Sequence, residues 1–166
     1  MDLGKEILEF FITFLIAFLV MKIILPEIIG IELTAVVSSS MEHREDIEIK
    51  HYSFLEKKYN YTREYINSWP FKYGFKVGDV LVAIKSDNYN IGDIVLYRGC
   101  GNVPISHRIV YKYDSYYAIK GDNNLGFLTG CINEEKVEKE RIISKVVFVL
   151  PKIGYVRVLI YYLLGI

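Results

Sequence analysis

Cysteine and histidine are scarce in this chain of 166 residues. Its two cysteines, Cys100 and Cys131, are too few for a disulfide scaffold and lack the CxxC spacing of a zinc site. They are either free thiols or one pair across an extracytoplasmic loop. The three histidines, His43, His51 and His107, also lack metal-ligand spacing. The sequence therefore indicates no metal site and no cofactor.

Basic charge is not in excess either. Lysine plus arginine number 20, as do aspartate plus glutamate, so the formal net charge is zero. Nucleic-acid binding needs a clustered basic surface, and this balance gives no support for a nucleic-acid partner. The length suits one compact domain with attachments rather than two full domains.

A long apolar run lies near the N-terminus. Residues 7–25 contain only Glu9 and Lys22 as charges, and such a helix would span about 28 Å, close to the hydrocarbon thickness of a bilayer. A cleaved signal peptide is the alternative, but the start is partly acidic and no small-x-small cleavage site follows. We predict an uncleaved transmembrane anchor within residues 1–29. Lys5 precedes the run and Lys22 lies near its far end, which leaves its orientation open.

The chain is organised around Val36-Val37-Ser38-Ser39-Ser40-Met41, where a strand-favouring pair runs into three serines. By themselves the serines are typical of a solvated loop. Two later segments change this interpretation: Ser106-His107-Arg108 opens a β-branched run, and Lys120-Gly121-Asp122 lies in a polar turn. Singly, the histidine could be a strand-end residue and the aspartate a turn cap. Together, a serine, a histidine and an aspartate beside strands are the parts of an activated-nucleophile site.

The remaining pattern is mainly β. From Val77 onward, short β-branched runs alternate with Gly, Asp and Asn turns, which predicts an antiparallel or barrel-like β domain. Residues 42–77 differ, being rich in charge and tyrosine. There Ser53-Phe54-Leu55-Glu56 has the form of a capping box, so we predict a short amphipathic helix over 54–67 that packs on its own domain. The apolar tail, residues 153–166, is predicted to be interfacial rather than membrane-spanning.

In this order the segments resemble type I signal peptidases, and within them the archaeal and endoplasmic-reticulum branch that uses a serine–histidine pair. The resemblance covers most of the chain. It rests on the N-terminal anchor and on four segments: Ser38–Glu42, Ser106–Arg108, Lys120–Asn124 and Lys145–Val149. It implies a mainly β, LexA-like catalytic domain over residues 30–152, interrupted by the insertion at about 42–77.

The resemblance also implies the site and the substrate. Ser40, the serine before the methionine, would be the nucleophile, His107 the general base and Asp122 the group that orients the imidazole. The Ser40 N–H and the Ser38 hydroxyl would form the oxyanion hole. The substrates would be the signal peptides of secretory preproteins, cleaved after small residues at the lipid bilayer. The catalytic domain of such a single-pass membrane protein would lie on the extracytoplasmic side, and other membrane subunits could join it.

The chain departs from the family pattern at several points. Ser39 stands where the family usually has glycine, and His43 where it usually has proline. About 30 residues are inserted after Met41. A second aspartate is common in the family several residues after the first, but residues 125–133 contain none. Its role is therefore absent or taken by another residue, with Asn133 or Thr129 as candidates.

Other interpretations remain open. His43 is a rival base because it is close to Ser40 in sequence, and a desolvated Lys50, Lys85 or Lys120 would serve in a serine–lysine site. A self-cleaving serine–lysine regulator of the repressor type would carry a DNA-binding helix-turn-helix where this chain has its apolar segment. A non-catalytic subunit of a membrane complex would keep the fold and bind a substrate or partner.

Overall fold

The computed structural model describes residues 3–155, 158, 159 and 163. Helix α1 (Leu3–Leu19) continues as a π-helical segment, Val20–Ile29, which leads into the first strand. Within the described residues, no helix is both long enough and apolar enough to cross a membrane. The predicted transmembrane helix is therefore not confirmed.

The described part of the chain builds one antiparallel sheet of seven strands. The strands are β1 (Ile31–Ala35), β2 (Val80–Ile84), β3 (Ile94–Arg98), β4 (Pro104–Lys112), β5 (Tyr116–Lys120), β6 (Val137–Glu138) and β7 (Ile142–Leu150). Their order across the sheet is β1-β2-β7-β3-β4-β5-β6. Irregular registers within three of the strand pairs bend the sheet. The predicted mainly antiparallel β domain is confirmed.

Strand β3 lies at the centre and is buried on both faces. Ile94 and Leu96 pack in one hydrophobic cluster, whereas Val95 and Tyr97 pack in another. Successive side chains of a strand point to opposite faces, so the sheet has a core on each side. Met41, which follows the serines, is fully buried in the first cluster. The residue before it is thereby held against the sheet.

The insertion packs on the same domain, as predicted, but its helix is broken. A π-helical turn (Glu48–Ser53) runs into helix α2 (Phe54–Tyr59), and α3 (Arg63–Asn67) follows after a gap. Asn60 adopts a left-handed φ of 55°, which ends α2. The predicted single helix over 54–67 is therefore corrected to two short ones.

The predicted capping box is wrong for a related reason. Ser53 makes no side-chain capping bond, because the preceding π-helical turn already delivers the chain in a helical conformation. Thr62 is the residue that caps a helix, as its side chain accepts a hydrogen bond from the Tyr65 N–H at 3.2 Å. The insertion rests on strands β4 and β5 through a third cluster, which contains Leu55, Ile66, Trp69, Val110 and Ala118.

A disulfide joins Cys100 to Cys131, with their Cα atoms 5.7 Å apart. Of the two alternatives left open by the sequence, the paired state is the one observed. The bond links the turn after β3 to the loop that precedes β6.

At the other end of the chain, the Gly154 N–H donates to the Gly78 carbonyl at 2.7 Å. Ile153 and Tyr155 are exposed. Most of the predicted interfacial tail (156, 157, 160–162 and 164–166) lies outside the described residues.

Candidate active site

The serine cluster lies in the loop that leaves β1, and backbone hydrogen bonds hold this loop on both sides. On one side the Val36 N–H donates to the Asp79 carbonyl at 2.8 Å. On the other, the Asn123 backbone N–H donates to the Ser40 carbonyl at 2.8 Å, and the Asn123 side-chain amide donates to the Ser39 carbonyl at 3.0 Å. The Ser40 backbone is thus fixed by a turn that is 83 residues away in sequence.

The structure brings Ser40 and His107 together. The Ser40 Oγ lies 2.8 Å from His107 Nε2, and the histidine is buried in β4. This is the spacing of a nucleophile and its general base. Ser38 Oγ lies 3.1 Å from Ser40 Oγ. When His107 Nε2 accepts the single Ser40 hydroxyl proton, Ser38 is the donor in that contact.

Behind His107 stands Glu134, which the sequence interpretation missed. Glu134 Oε1 accepts the Nδ1–H of His107 and, at 2.7 Å, the hydroxyl of Tyr97. Its Oε2 accepts the Leu128 N–H at 2.7 Å, and the carboxylate is fully buried. With its proton on Nδ1, the imidazole presents a lone pair on Nε2 to Ser40.

Tyr97 supports this arrangement chemically. Burial first, and then the charge of Glu134, raise the pKa of the Tyr97 hydroxyl. Tyr97 therefore stays protonated and donates to the carboxylate. Together with Leu128 and His107, it supplies three hydrogen bonds to a buried acid, as a buried charge requires.

Asp122 does not contact His107, so the prediction that it orients this histidine is corrected. Its carboxylate accepts hydrogen bonds from Arg108, at 3.0 and 3.2 Å from Nε and 2.8 Å from Nη2. The reason lies in β4, where His107 and Arg108 are neighbours and so point to opposite faces of the sheet. Arg108 pairs with Lys120 of β5, and the turn after Lys120 carries Asp122 to the arginine's face.

Two histidines complete the surroundings of Asp122. His43 Nε2 lies 3.0 Å from one carboxylate oxygen, and His51 Nδ1 lies 3.3 Å from the other. Burial by itself would raise the pKa of Asp122, but the Arg108 guanidinium and His51 outweigh it and lower the pKa below its ordinary value. Asp122 is therefore a buried carboxylate surrounded by donors.

The sequence interpretation missed Glu134, which comes directly after the stretch 125–133. From the sequence, the role of the family's second aspartate is absent or taken by another residue, with Thr129 and Asn133 as candidates, and both of these residues are exposed. A signal was present, since Glu134 is the first acidic residue after Asp122.

Three of the four rival bases, His43, Lys50 and Lys120, have other partners. His43 bonds to Asp122, and Lys50 Nζ donates to the Asn123 side chain at 3.1 Å. Burial lowers the pKa of Lys120 to about 8, yet its ammonium donates to two backbone carbonyls. Among the described residues, no group of three or more His, Cys, Asp or Glu is arranged to hold a metal ion.

Known proteins resemble this chain, although no protein-family model matches it. The "Signal peptidase complex catalytic subunit sec11" of Sclerotinia sclerotiorum is 33% identical over 96 residues, which cover 52% of this chain and 56% of that protein. The same-named subunit of Colletotrichum graminicola is 37% identical over 101 residues, with the same coverage. That of Scheffersomyces stipitis is 34% identical over 95 residues, which cover 52% of this chain and 57% of the relative. The chain spans little more than half the length of these curated relatives.

Proposed function

We propose that this chain, which resembles the Sec11 catalytic subunits of type I signal peptidases, is a membrane-associated serine endopeptidase that removes signal peptides from secretory preproteins. One observation carries the proposal: a serine hydroxyl lies 2.8 Å from a buried histidine whose other nitrogen is bound by a buried carboxylate. Ser40 is the proposed nucleophile, His107 the general base and Glu134 the acid that orients it.

The proposed reaction begins with proton transfer from Ser40 Oγ to His107 Nε2 as the oxygen attacks the scissile carbonyl. A C–O bond forms, and the carbonyl electrons move onto its oxygen. When this intermediate collapses, the C–N bond breaks and His107 returns the proton to the leaving amine. Water then attacks the acyl-enzyme and gives a proton to His107. The C–O bond to Ser40 breaks, His107 returns that proton to Ser40 Oγ, and the signal peptide leaves with a free carboxylate. Glu134 stabilises the imidazolium at each stage.

The developing oxyanion needs hydrogen-bond donors. The Ser40 backbone N–H and the Ser38 hydroxyl are the proposed pair, and the 3.1 Å between the two hydroxyl oxygens keeps Ser38 beside the reacting atom. One such donor is worth about 3–4 kcal/mol of transition-state stabilisation.

Membrane association is supported by α1, which exposes apolar side chains along its length. Phe10, Phe11 and Phe14 are each more than 60% exposed. A continuous apolar surface of this kind marks a membrane or protein contact. We propose that it anchors the peptidase to the bilayer, where signal peptides end, and the single-pass span stays a prediction.

The Cys100–Cys131 disulfide supports an extracytoplasmic catalytic domain, since such bonds persist in oxidising compartments. The relatives are named as subunits of a signal peptidase complex, so we propose that other membrane subunits are partners.

The test is cleavage of a preprotein with an Ala-x-Ala site by the full chain in lipid nanodiscs. Wild type and Ser115→Ala, whose serine lies in the exposed turn between β4 and β5, should both release the mature protein. Ser40→Ala and His107→Ala should each be reduced by at least about a thousandfold, because nucleophile and base act as a unit. Cleavage by Ser40→Ala at the wild-type rate would reject the mechanism. A wild type that binds the preprotein without cleaving it would identify a non-catalytic subunit instead.

A further inference from the structure

The insertion reaches the candidate active site through its histidines. His43 and His51 are both contributed by residues 42–77, and both lie within 3.3 Å of the Asp122 carboxylate. They come close to each other as well, with ring centroids 5.5 Å apart. The start of the insertion is therefore bound to a side chain of the catalytic domain.

The end of the insertion meets the same cluster. The Arg108 guanidinium, while it holds Asp122, also donates to the Pro70 carbonyl at 2.7 Å and to the Phe71 carbonyl at 3.0 Å. Asp122 and Arg108 thus join both ends of the insertion to β4 and to the turn after β5. This joint is buried, as Asp122 is 0% and Arg108 1% exposed.

The Asp122 turn is also the support of the nucleophile. Besides the two hydrogen bonds from Asn123 to the carbonyls of Ser39 and Ser40, the Asp122 N–H lies 3.3 Å from the sulfur of Met41. Gly121 shows how closely the turn abuts the site. A Cβ atom there would lie 2.9 Å from His107 Nε2 and 2.9 Å from the Ser40 carbonyl oxygen. A small displacement of this turn would therefore move Ser40 relative to His107.

We propose that His43 and His51 are positioning residues for the peptidase reaction: by fixing the Asp122 carboxylate, they hold the turn that aligns Ser40 with His107. The inference rests on the function proposed above. Neither histidine exchanges a proton with substrate: His43 donates a hydrogen bond to the carboxylate through Nε2, and His51 contacts it through Nδ1 at 3.3 Å.

The chemistry of the His51 imidazole suits this buried position. Burial lowers the pKa of His51 to about 4 despite the attraction of Asp122, so at neutral pH the ring is uncharged. Arg108 already balances the charge of Asp122. The uncharged His51 ring therefore approaches the carboxylate without adding net charge to the interior.

Packing and positioning are separable by mutation. The insertion adheres to β4 and β5 through the cluster of Leu55, Ile66 and Trp69, and the Leu55 side chain belongs to this cluster rather than to the shell of Asp122. Leu55→Ala should therefore lower the melting temperature and leave kcat per folded molecule unchanged. It serves as the control for a merely structural role of the insertion.

The variants are chosen to remove or retain a single donor. His43 donates through Nε2, which the amide nitrogen of glutamine reproduces, so His43→Gln retains the donor and His43→Leu removes it. His51 faces the carboxylate through Nδ1 at 3.3 Å, and the side-chain amide of asparagine reproduces the position of that nitrogen, so His51→Asn and His51→Leu form the second pair. The measurement is kcat and KM for cleavage of the preprotein in nanodiscs, normalised to folded protein.

Both leucine variants should lose about 10- to 100-fold in kcat, the cost of misplacing a reacting group by about 1 Å. KM should stay within about twofold, because the substrate contacts are not altered. The amide variants should regain most of the lost kcat. Leucine variants with wild-type kcat, or with a raised KM and unchanged kcat, would overturn the inference while wild-type cleavage upheld the peptidase. If wild type itself fails to cleave, the proposed function is what fails.

Discussion

Replacement of Glu134 by glutamine is the most direct test of how His107 is activated. The two side chains have the same shape, but the amide has one accepting oxygen and one donating nitrogen. Glu134 accepts from His107 and Tyr97 on Oε1 and from the Leu128 N–H on Oε2. In either orientation of the amide, its NH2 group therefore faces an N–H or O–H donor.

The two orientations have different consequences for His107. With the amide oxygen toward Leu128, the NH2 group faces His107 Nδ1, and the imidazole then carries its proton on Nε2 and cannot accept one from Ser40. With the oxygen toward His107, the tautomer is correct, but the imidazolium loses its buried negative partner. A buried unpaired donor costs about 1–3 kcal/mol. Loss of the correct tautomer alone lowers kcat by about 10⁴-fold in the serine–histidine–aspartate template.

We therefore expect Glu134→Gln to lower kcat by about 10²- to 10⁴-fold, which is about 3–5 kcal/mol in the barrier. The assay is single-turnover cleavage of the preprotein in nanodiscs, with melting temperature as the control for folding. Glu134→Asp keeps the charge and should retain more activity than the amide. A kcat for Glu134→Gln within about threefold of wild type would refute this assignment of Glu134. A buried donor–donor contact costs about 1–3 kcal/mol, which is more than a threefold change in kcat represents.

Three further predictions concern stability. Removal of the disulfide by Cys131→Ser opens a loop of 31-residue separation and should lower the free energy of unfolding by about 4 kcal/mol in urea titrations; an unchanged midpoint would show that the bond constrains little. Burial lowers the pKa of His51 in the folded protein from its ordinary 6.5 to about 4. Between these pH values the unfolded chain binds one more proton than the folded protein, so stability is lost as the pH falls from 6.5 to 4. Wild type should lose about 3 kcal/mol over that range, and His51→Asn should lose clearly less; parallel losses would contradict a buried neutral His51. Arg108→Lys leaves Asp122 and several carbonyls short of donors and should cost about 3–5 kcal/mol, measured by the same titrations, whereas a loss below about 1 kcal/mol would mean that water replaces the guanidinium.

The β framework and the Ser40–His107 pair were predictable from the sequence because each residue sits beside a run with a clear strand pattern. The choice between the two acids was not, because it depends on strand register. His107 lies opposite Val95 and Arg108 opposite Ile94, so consecutive residues of β4 reach opposite cores. No local sequence pattern predicts whether a distant acidic side chain will bind His107 or Arg108.

The insertion shows a different limit. Its helical periodicity predicts one helix over 54–67, but the sequence does not reveal that Asn60 takes a left-handed conformation and divides this stretch into two helices. Nor does it show that His43 and His51 converge on Asp122, which lies 79 and 71 positions away from them. Such contacts arise from packing of the insertion on β4 and β5, which periodicity alone does not specify.

The positions of the two acids suggest how residues 42–77 fit directly after the proposed nucleophile. Glu134 binds the proposed base, His107, on one face of β4, and Asp122 binds Arg108 on the other. Because β4 separates the two carboxylates, a segment added beside Ser40 can replace the surroundings of Asp122 without disturbing the hydrogen bonds of Glu134. Residues 42–77 contribute to the same cluster, because the imidazoles of His43 and His51 contact the Asp122 carboxylate, which would otherwise be bound by Arg108 alone. Insertion and nucleophile loop therefore stabilise each other through one buried side chain.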